Sequence, residues 1–515
     1  MQRLCHRRTL TASLRSAAVT RTIDRLWATP NPRAFSLTVR RQEENGKEIG
    51  HGRKWSTPLA KQLAAAISAT GPVPLASFMR MCLTGDIDGY YTGLAELNRD
   101  QFGLKGDFVT SPEISQIFGE LIGIWFVAEW LSQGKPKRGV ELIEVGPGRG
   151  TLMDDILRTV HNFKDLASSI DAIYMVEASP QLREAQKNLL CGPDAPMTES
   201  KVGYHSVCKY TRLPIVWTET IKSIPRDAEK MPLIVAHEFF DALPIHAFQA
   251  VPVQPKPVEG PAIDASPPAT EVQEPSKPKV EWREMMVSPT PPNASHATMN
   301  IPKAEQGDPI PDFQMTLSPG PTRHSRFLPE TSSRYTRLKS IPNAVAEICP
   351  DASLYAADFA SRIGGSKQHP KARPSGAALI LDYGTTDTVP INSLRGIRRH
   401  RRVSPFSEPG LVDLSADVDF TAIAEAATRA SEGVEVHGPI DQGAFLALMG
   451  IKERAEVLIR QAIASAARDK AQDIEKAWKR LVDRGPGGMG KVYKAMAILP
   501  ENEGKRRPVG FGGDL

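Results

Sequence analysis

The chain of 515 residues has few aromatic residues, few cysteines and no long hydrophobic run. Aromatic residues make up 6% of it, and its five cysteines are scattered without a Cys-x-x-Cys pair. This pattern gives no disulfide framework, and we predict reduced thiols and no metal site. No apolar run reaches the roughly 18 residues that a membrane-spanning helix needs, so we predict no membrane span.

Charge is distributed unevenly along the chain, and lysine is absent from its first 41 residues. Residues 1–41 hold nine Arg and one acid, Asp24, a net charge of +8, which leaves −3 on the remainder because the whole chain carries +5. A remainder without excess positive charge gives nucleic-acid binding no support. The Arg-rich, Ser/Thr-rich and acid-poor segment predicts a mitochondrial presequence, with a disordered basic tail as the alternative.

A glycine-rich turn stands between a predicted strand and a predicted helix at residues 144–151, Glu-Val-Gly-Pro-Gly-Arg-Gly-Thr. Glycine lets the backbone turn sharply and lets a ligand approach closely. The free N–H groups at the start of the helix favour an anionic group such as a carboxylate. The spacing G-x-G-x-G differs from the dinucleotide fingerprint G-x-G-x-x-G. It resembles the first motif of class I methyltransferases, which bind S-adenosylmethionine.

A second acidic residue, Glu177, ends the next predicted strand and precedes another helical pattern. A carboxylate at this position of a βαβ unit can accept hydrogen bonds from ribose hydroxyls. An exposed glutamate close to a helix is the alternative. We therefore predict S-adenosyl-L-methionine as the cofactor, with these residues as its contacts: Glu144, Gly146, Gly148, Gly150, Thr151 and Glu177.

Five apolar runs predict strands that alternate with helices. The predicted strands are 140–146, 172–177, 214–218, 233–238 and 377–382. This order is typical of a doubly wound α/β sheet, here the Rossmann-like fold of class I methyltransferases. We assign 139–385 to the methyltransferase domain, 50–138 to a helical N-terminal region and 386–515 to a largely helical, substrate-side C-terminal region.

Two proline-rich segments, 252–278 and 288–329, interrupt this alternation and show no apolar period. Such a composition cannot bury enough surface to offset the entropy of ordering, so we predict disordered inserts. Between them, 280–287 predicts a strand that pairs with 245–251. The glycine-rich run 485–490 imitates a kinase phosphate loop, but no predicted strand precedes it and no further kinase motif accompanies it.

Several longer runs resemble those of one family. They are 88–91, 106–115, 144–153, 238–244 and 413–420. The chain resembles the MidA-like family of mitochondrial protein-arginine methyltransferases, which assist assembly of respiratory complex I. The resemblance covers about residues 50–500 outside the proline-rich inserts. It implies S-adenosyl-L-methionine as methyl donor and symmetric dimethylation of an arginine in the 49-kDa complex I subunit, in the mitochondrial matrix.

Two other functions stay open at this point. A non-catalytic assembly chaperone for complex I would retain the cofactor fold for binding alone. A nucleotide-dependent oxidoreductase would also use a strand, turn and helix, although the glycine spacing argues against it.

The run that follows the fourth predicted strand supplies candidate catalytic carboxylates. Glu238 and Asp241 stand three residues apart, where this fold places its ligands. Arginine is a poor nucleophile because its guanidinium stays protonated. Carboxylates that face it can form paired hydrogen bonds and localise a lone pair on one nitrogen. We predict that both residues are catalytic, with an ion pair for Glu238 and a helix cap for Asp241 as the alternatives.

Two neighbouring residues admit two interpretations each. Glu113 either closes over the methyl donor or forms a capping box with Ser111 at the start of the following helix. His237 stands where the family usually carries Asn. We interpret it as a substituted hydrogen-bonding side chain rather than as a proton acceptor.

Overall fold

The computed structural model describes residues 53–86, 88–93, 101, 103, 106–253, 279–299 and 307–512. From Lys54 onward these residues belong to one compact unit. The predicted presequence and nearly all of the first predicted insert lie outside the described residues. Within the described ranges, none of the helices combines the length and the hydropathy of a membrane span.

The helices are α1 Pro58–Thr70, α2 Leu75–Thr84, α3 Ser111–Ile114, α4 Gln116–Ser132, α5 Thr151–Val160, α6 Lys164–Ser169, α7 Pro180–Leu190, α8 Arg323–Phe327, α9 Ser333–Leu338, α10 Pro350–Gly364, α11 Phe420–Ala430, α12 Gln442–Leu448, α13 Ile451–Ala464 and α14 Arg468–Val482. The strands are β1 Val73–Pro74, β2 Val140–Val145, β3 Ile170–Val176, β4 Thr198–Glu199, β5 Tyr204–Val207, β6 Pro214–Thr218, β7 Met231–His237, β8 His246–Val253, β9 Lys279–Pro289, β10 Phe313–Leu317, β11 Val345–Ile348, β12 Ala377–Thr385, β13 Arg395–Arg398, β14 Arg401–Val403, β15 Asp413–Ser415, β16 Val418–Asp419, β17 Val434–Asp441 and β18 Tyr493–Pro500.

The main sheet has the strand order β17-β18-β12-β7-β2-β3-β6-β5-β4. Its five central strands are parallel to one another, and they are the five strands predicted from the sequence: β12, β7, β2, β3 and β6. After β2, the chain forms β3 and β6 on one side of that strand, and it then forms β7 and β12 on the other side. Ligands of such sheets bind in the crevice at the carboxyl ends of the strands where the order reverses. The predicted doubly wound fold is confirmed.

Helices cover both faces of the main sheet. All six residues of β2 are buried, as expected for a strand with packing on both sides. Leu142 belongs to the core that α4 and α5 form on one face, and Ile143 belongs to the core that α10 and α11 form on the other. This alternation follows from the two-residue period of a strand. The glycine turn therefore begins from a strand that is fixed on both sides.

The predicted domain boundary at residue 385 is wrong, because strands from the C-terminal region complete the main sheet. Strand β18 pairs antiparallel with β12, and β17 pairs antiparallel with β18. Helices α11 to α14 are present, but the region is not helical throughout. Ala495 and Ala497 of β18 are fully buried although alanine is a poor strand former. Packing between two strands overrides that local preference.

A second sheet, with the order β1-β9-β8-β11 and with β10 paired to β9, forms beside the main one. The predicted pairing of 280–287 with 245–251 is confirmed, since β9 pairs antiparallel with β8. The predicted disorder over 288–329 is wrong for the described part of that segment. Strand β10 pairs with β9, and Phe313 is fully buried against the rings of Trp55 and Phe78. A few apolar side chains anchor a segment whose average composition is polar.

Candidate active site

A cavity of about 770 Å³ opens at the carboxyl ends of the parallel strands. The glycine turn and the end of β3 line one end of it, and the turn after β7 lines the other. Helix α2, the segment before α3 and strands β13 to β15 cover it. The structure brings nine of the residues considered in the sequence to this one cavity: Glu113, Glu144, Gly146, Gly148, Thr151, Glu177, His237, Glu238 and Asp241.

The glycine turn adopts a backbone that only glycine accommodates without strain. Gly146, Gly148 and Gly150 have φ angles of 63°, 52° and 85°. A Cβ atom on Gly146 would lie 2.6 Å from the ring of Phe239. Gly150 does not line the cavity but stands at the N-terminal cap of α5, so its role is to start that helix. The turn leaves backbone exposed to the cavity at Gly146 and Gly148.

Glu177 is held in place by hydrogen bonds at the end of β3. Its carboxylate accepts from the backbone N–H of Ser179 at 2.8 Å and from Nε2 of Gln186 at 3.0 Å. Gln186 also donates to the carbonyl oxygen of Gly148 at 2.6 Å, so one side chain ties the carboxylate to the glycine turn. Burial raises the pKa of Glu177 to about 7, and the two hydrogen bonds offset part of this rise.

Glu144 is the second carboxyl group at this end of the cavity. Its side chain is 2% exposed, and Oε2 has no hydrogen-bond partner among the described residues. Burial, and then the charge of Glu177, raise its pKa well above the ordinary value. Buried polar atoms are normally paired. The two carboxyls and the open glycine turn fit a ligand that carries hydroxyl and amino donors, as S-adenosyl-L-methionine does.

The turn after β7 is strained and firmly anchored. Glu238 has a φ angle of 48°, in the left-handed region that favours glycine, and its N–H donates to the carbonyl oxygen of Leu381 at 2.9 Å. The buried carboxylate of Asp382 accepts from the N–H groups of Phe239, Phe240 and Asp241 at 3.1, 2.8 and 3.4 Å. Asp382, at the end of β12, thus fixes the turn that presents the two predicted catalytic carboxylates.

These carboxylates make one end of the cavity acidic and poorly solvated. Burial, and then the charges of Asp241 and Asp382, raise the pKa of Glu238 well above its ordinary value. Burial also raises the pKa of Asp241, whose Oδ2 accepts a hydrogen bond from the Tyr383 hydroxyl. Glu238 Oε1 and Asp241 Oδ1 have no hydrogen-bond partner among the described residues. A cation with several N–H donors would supply both the missing charge and the missing hydrogen bonds.

Further residues at this end were not predicted from the sequence. The hydroxyl of Tyr91 donates to Asp413 Oδ1 at 2.8 Å, and burial raises the pKa of Asp413 to about 7. Arg395 lies 4.4 Å from the centre of the Tyr383 ring and pairs with Asp417 at 2.6 Å. Tyr91 and Asp413 belong to two of the sequence runs that resemble the family, 88–91 and 413–420. That resemblance was the signal in the sequence that could have indicated a role for them.

Glu113 and His237 both line the cavity. Glu113 forms a capping box, but its partner is Thr110 rather than the predicted Ser111. The N–H of Thr110 donates to Glu113 at 3.2 Å. The other carboxylate oxygen of Glu113 lies 3.6 Å from the guanidinium of Arg149 in the glycine turn. Nε2 of His237 lies 3.4 Å from Glu238 Oε1. Burial lowers the pKa of His237 to about 3, so its imidazole is neutral near pH 7 and is suited to hydrogen bonding.

The strand order and the cavity over a G-x-G-x-G turn define a class of protein, the Rossmann-like methyltransferases. A family model described as "Putative S-adenosyl-L-methionine-dependent methyltransferase" matches residues 121–440. The chain belongs to this family of S-adenosyl-L-methionine-dependent methyltransferases. The predicted cofactor is thereby confirmed.

Curated relatives carry a more specific name. The "Protein arginine methyltransferase NDUFAF7 homolog, mitochondrial" of Drosophila melanogaster is 33% identical over 482 residues, which cover 92% of this chain and 91% of the relative. The "Protein arginine methyltransferase NDUFAF7, mitochondrial" of Danio rerio is 35% identical over 443 residues, 86% of each chain. The human protein of that name is 33% identical over 449 residues, 86% of this chain and 84% of its own. The family resemblance seen in the sequence is confirmed.

A solved structure shows the same fold. A COG1565 superfamily protein of Burkholderia thailandensis, bound to S-adenosyl-homocysteine, superposes with a TM-score of 0.58 at 22% identity. The match covers 89% of this chain and 93% of that one. The architecture is thus that of a known structural group.

Removal of the Glu177 carboxylate tests its predicted contact with the cofactor. Glu177→Ala should weaken S-adenosyl-L-methionine and S-adenosylhomocysteine alike, by roughly 10–100-fold, because a charge-assisted hydrogen bond is worth about 1.5–3 kcal/mol. Calorimetric titration measures both affinities, and the exposed Glu184→Ala on α7 is the matched control. A loss confined to S-adenosyl-L-methionine would place Glu177 at the sulfonium end and contradict the assignment to the ribose.

Proposed function

We propose that this methyltransferase acts on protein arginine, and that it forms symmetric dimethylarginine in the 49-kDa subunit of respiratory complex I during assembly. We further propose that it works in the mitochondrial matrix. The choice of arginine rests on two buried carboxyl groups, those of Glu238 and Asp241, at the far end of the cofactor cavity. One oxygen of each has no hydrogen-bond partner among the described residues. The names of the curated relatives agree with it.

The acidic end of the cavity can bind and orient a guanidinium. Glu238 and Asp241 would each accept N–H donors, and the positive charge of the guanidinium would stabilise their ionised forms. Tyr383 holds one oxygen of Asp241, so the free Oδ1 is directed to a ligand. Asp382 keeps both carboxyls on one rigid turn, which limits the reorganisation that accompanies substrate binding.

S-adenosyl-L-methionine, when bound at the glycine turn, supplies the methyl group. Glu238 and Asp241 localise the lone pair on one guanidino nitrogen by drawing the other N–H groups toward their oxygens. The attacked nitrogen loses a proton during the reaction. Glu238 is suited to receive it because its pKa is raised. The protein thus contributes orientation and proton transfer, and its neutral His237 contributes a hydrogen-bonding group beside Glu238.

Mass spectrometry of the 49-kDa subunit tests the proposed substrate. The subunit should carry symmetric dimethylarginine when isolated from mitochondria that contain this chain, and should lack it when the chain is removed. Restoration by the full chain, but not by a Glu238→Gln variant, would link the mark to this site. A subunit without the mark, in mitochondria where assembly still depends on the chain, would favour an assembly chaperone that binds the cofactor without transferring the methyl group.

A further inference from the structure

A cluster of two histidines and a glutamate lies outside the active site, in the second sheet. His246 is the first residue of β8, Glu284 lies in the middle of β9, and His324 is in α8. Nδ1 of His246 and Nδ1 of His324 lie 2.8 and 3.2 Å from the same oxygen, Glu284 Oε1. One ligand atom from each residue lies within 4.8 Å of the other two. The three side chains therefore converge on one point.

This spacing fits a single metal ion. With Zn–N and Zn–O bonds of about 2.0–2.2 Å, tetrahedral geometry separates neighbouring ligand atoms by about 3.3–3.6 Å. Two imidazoles and one carboxylate form a ligand set that Zn²⁺ uses with a water molecule in the fourth position. The side chain of His324 is 45% exposed, so solvent reaches the cluster from that side. The geometry leaves room for a fourth, solvent-derived ligand.

The surrounding groups hold the ligands in place. The hydroxyl of Thr322 donates to the second oxygen of Glu284, which leaves Oε1 to face the imidazoles. Thr322 is itself fixed because it caps α8 and accepts the N–H of Ser325 at 3.0 Å. The ring of His246 stacks on Phe248 with 6° between the ring planes. Such outer contacts orient metal ligands and tune their affinity.

The buried position of Glu284 also favours a cation beside it. Its side chain is 1% exposed, and no Lys or Arg nitrogen of the described residues lies within 4.0 Å of its carboxylate. A buried carboxylate needs a compensating positive charge, which a bound metal cation supplies.

We propose that His246, Glu284 and His324 bind one Zn²⁺ ion. The ion joins α8 to the β8–β9 hairpin, whose first strand begins two residues after Pro244 of the active-site cavity. Its binding is separate from methyl transfer. The sequence predicted no metal site because its ligands are far apart in the chain and form no compact metal motif. Glu284 follows His246 by 38 residues, and His324 follows Glu284 by 40.

Calorimetric titration of the metal-stripped full chain with Zn²⁺ tests this site. One ion per chain should bind, and the thermal midpoint should rise at saturation because the ion binds only the folded state. His324→Gln should weaken binding by more than the roughly 10–100-fold that loss of an outer contact costs. The exposed His369→Gln is the matched control and should bind as the parent does. Since His324 is half-exposed, its replacement should not prevent folding.

Two results would overturn the proposal. One is the absence of stoichiometric Zn²⁺ binding by the folded parent chain. The other is Zn²⁺ affinity that stays unchanged in both His324→Gln and Glu284→Gln, which would place the ion elsewhere. Tetrahedral Co²⁺ absorption that appears in the parent and His369→Gln, but not in His324→Gln, would support the ligand set independently of any change in stability.

Discussion

Glu238→Gln should leave the affinity for S-adenosyl-L-methionine nearly unchanged and should lower methyl transfer about 10²–10⁴-fold, the scale of a residue that acts on the reacting group. The amide keeps the shape of the side chain but loses the charge that localises the arginine lone pair. Asp241→Asn should behave in the same way. Single-turnover transfer to an arginine-containing protein measures the rate, and calorimetry measures donor affinity separately.

The chain offers a matched control for this substitution. Glu503 is exposed and has a φ angle of 61°, so Glu503→Gln makes the same exchange on the same type of backbone outside the cavity. It should keep full activity. His237→Asn, which restores the residue usual in the family, should also be nearly silent. Full activity in both Glu238→Gln and Asp241→Asn would remove these carboxylates from the mechanism, and an inactive His237→Asn would make the histidine the base.

We do not expect Glu238→Gln to lower methyl transfer by destabilising the protein. Glu238 stands beside Asp241 and Asp382 in a site with little solvent, and their like charges raise its pKa. A neutral amide at this position does not interact unfavourably with these charges, so the free energy of unfolding should not fall. The thermal midpoint of Glu238→Gln should therefore match or exceed that of the parent chain.

Gly146→Val should lower the affinity for S-adenosyl-L-methionine at least tenfold, which is about 1.4 kcal/mol. Gly146 has a φ angle of 63°, where a branched side chain is strained. Its Cβ would also lie 2.6 Å from the Phe239 ring, next to Glu238. Both effects disturb the end of β2, where we predict that the cofactor binds. Calorimetry of a folded variant measures the loss.

The control for Gly146→Val separates backbone strain from the position of the residue. Gly487 has a φ angle of 91°, and a Cβ atom there would meet no other group within 4 Å, so Gly487→Val brings strain without a clash. It should bind the cofactor as the parent chain does. Unchanged affinity in folded Gly146→Val would show that the cofactor does not lie over this turn.

Much of the fold and of the cofactor end follows from local patterns. Strand β2 is recognisable because a strand buried on both faces is apolar throughout most of its length. The glycines mark a turn whose positive φ angles disfavour other residues, and Glu177 ends the next strand. In a doubly wound sheet, the residues that follow neighbouring parallel strands meet at the carboxyl edge, whatever the side chains around them are. The same rule placed Glu238 and Asp241 at the cavity.

The C-terminal strands and the second sheet show where local patterns fail. Strand β18 contains two alanines, which favour helix, and it becomes a strand because β12 and β17 hold it on both sides. Strand β10 lies in a segment that looks disordered by composition, yet Phe313 fixes it in a core. In both cases a contact between distant segments outweighs the preference of the residues themselves.

The sequence by itself determined the class of fold, the cofactor and the edge of the sheet at which the cavity lies, because the strand period, the glycine turn and the βαβ connectivity depend on neighbouring residues. Only the tertiary structure decided the acidic surroundings of Glu238, the contact of Tyr91 with Asp413, and the convergence of His246, Glu284 and His324. These groups come from elements separated by tens to hundreds of residues. Their charges, pKa shifts and distances arise from packing, which brings them together and removes water.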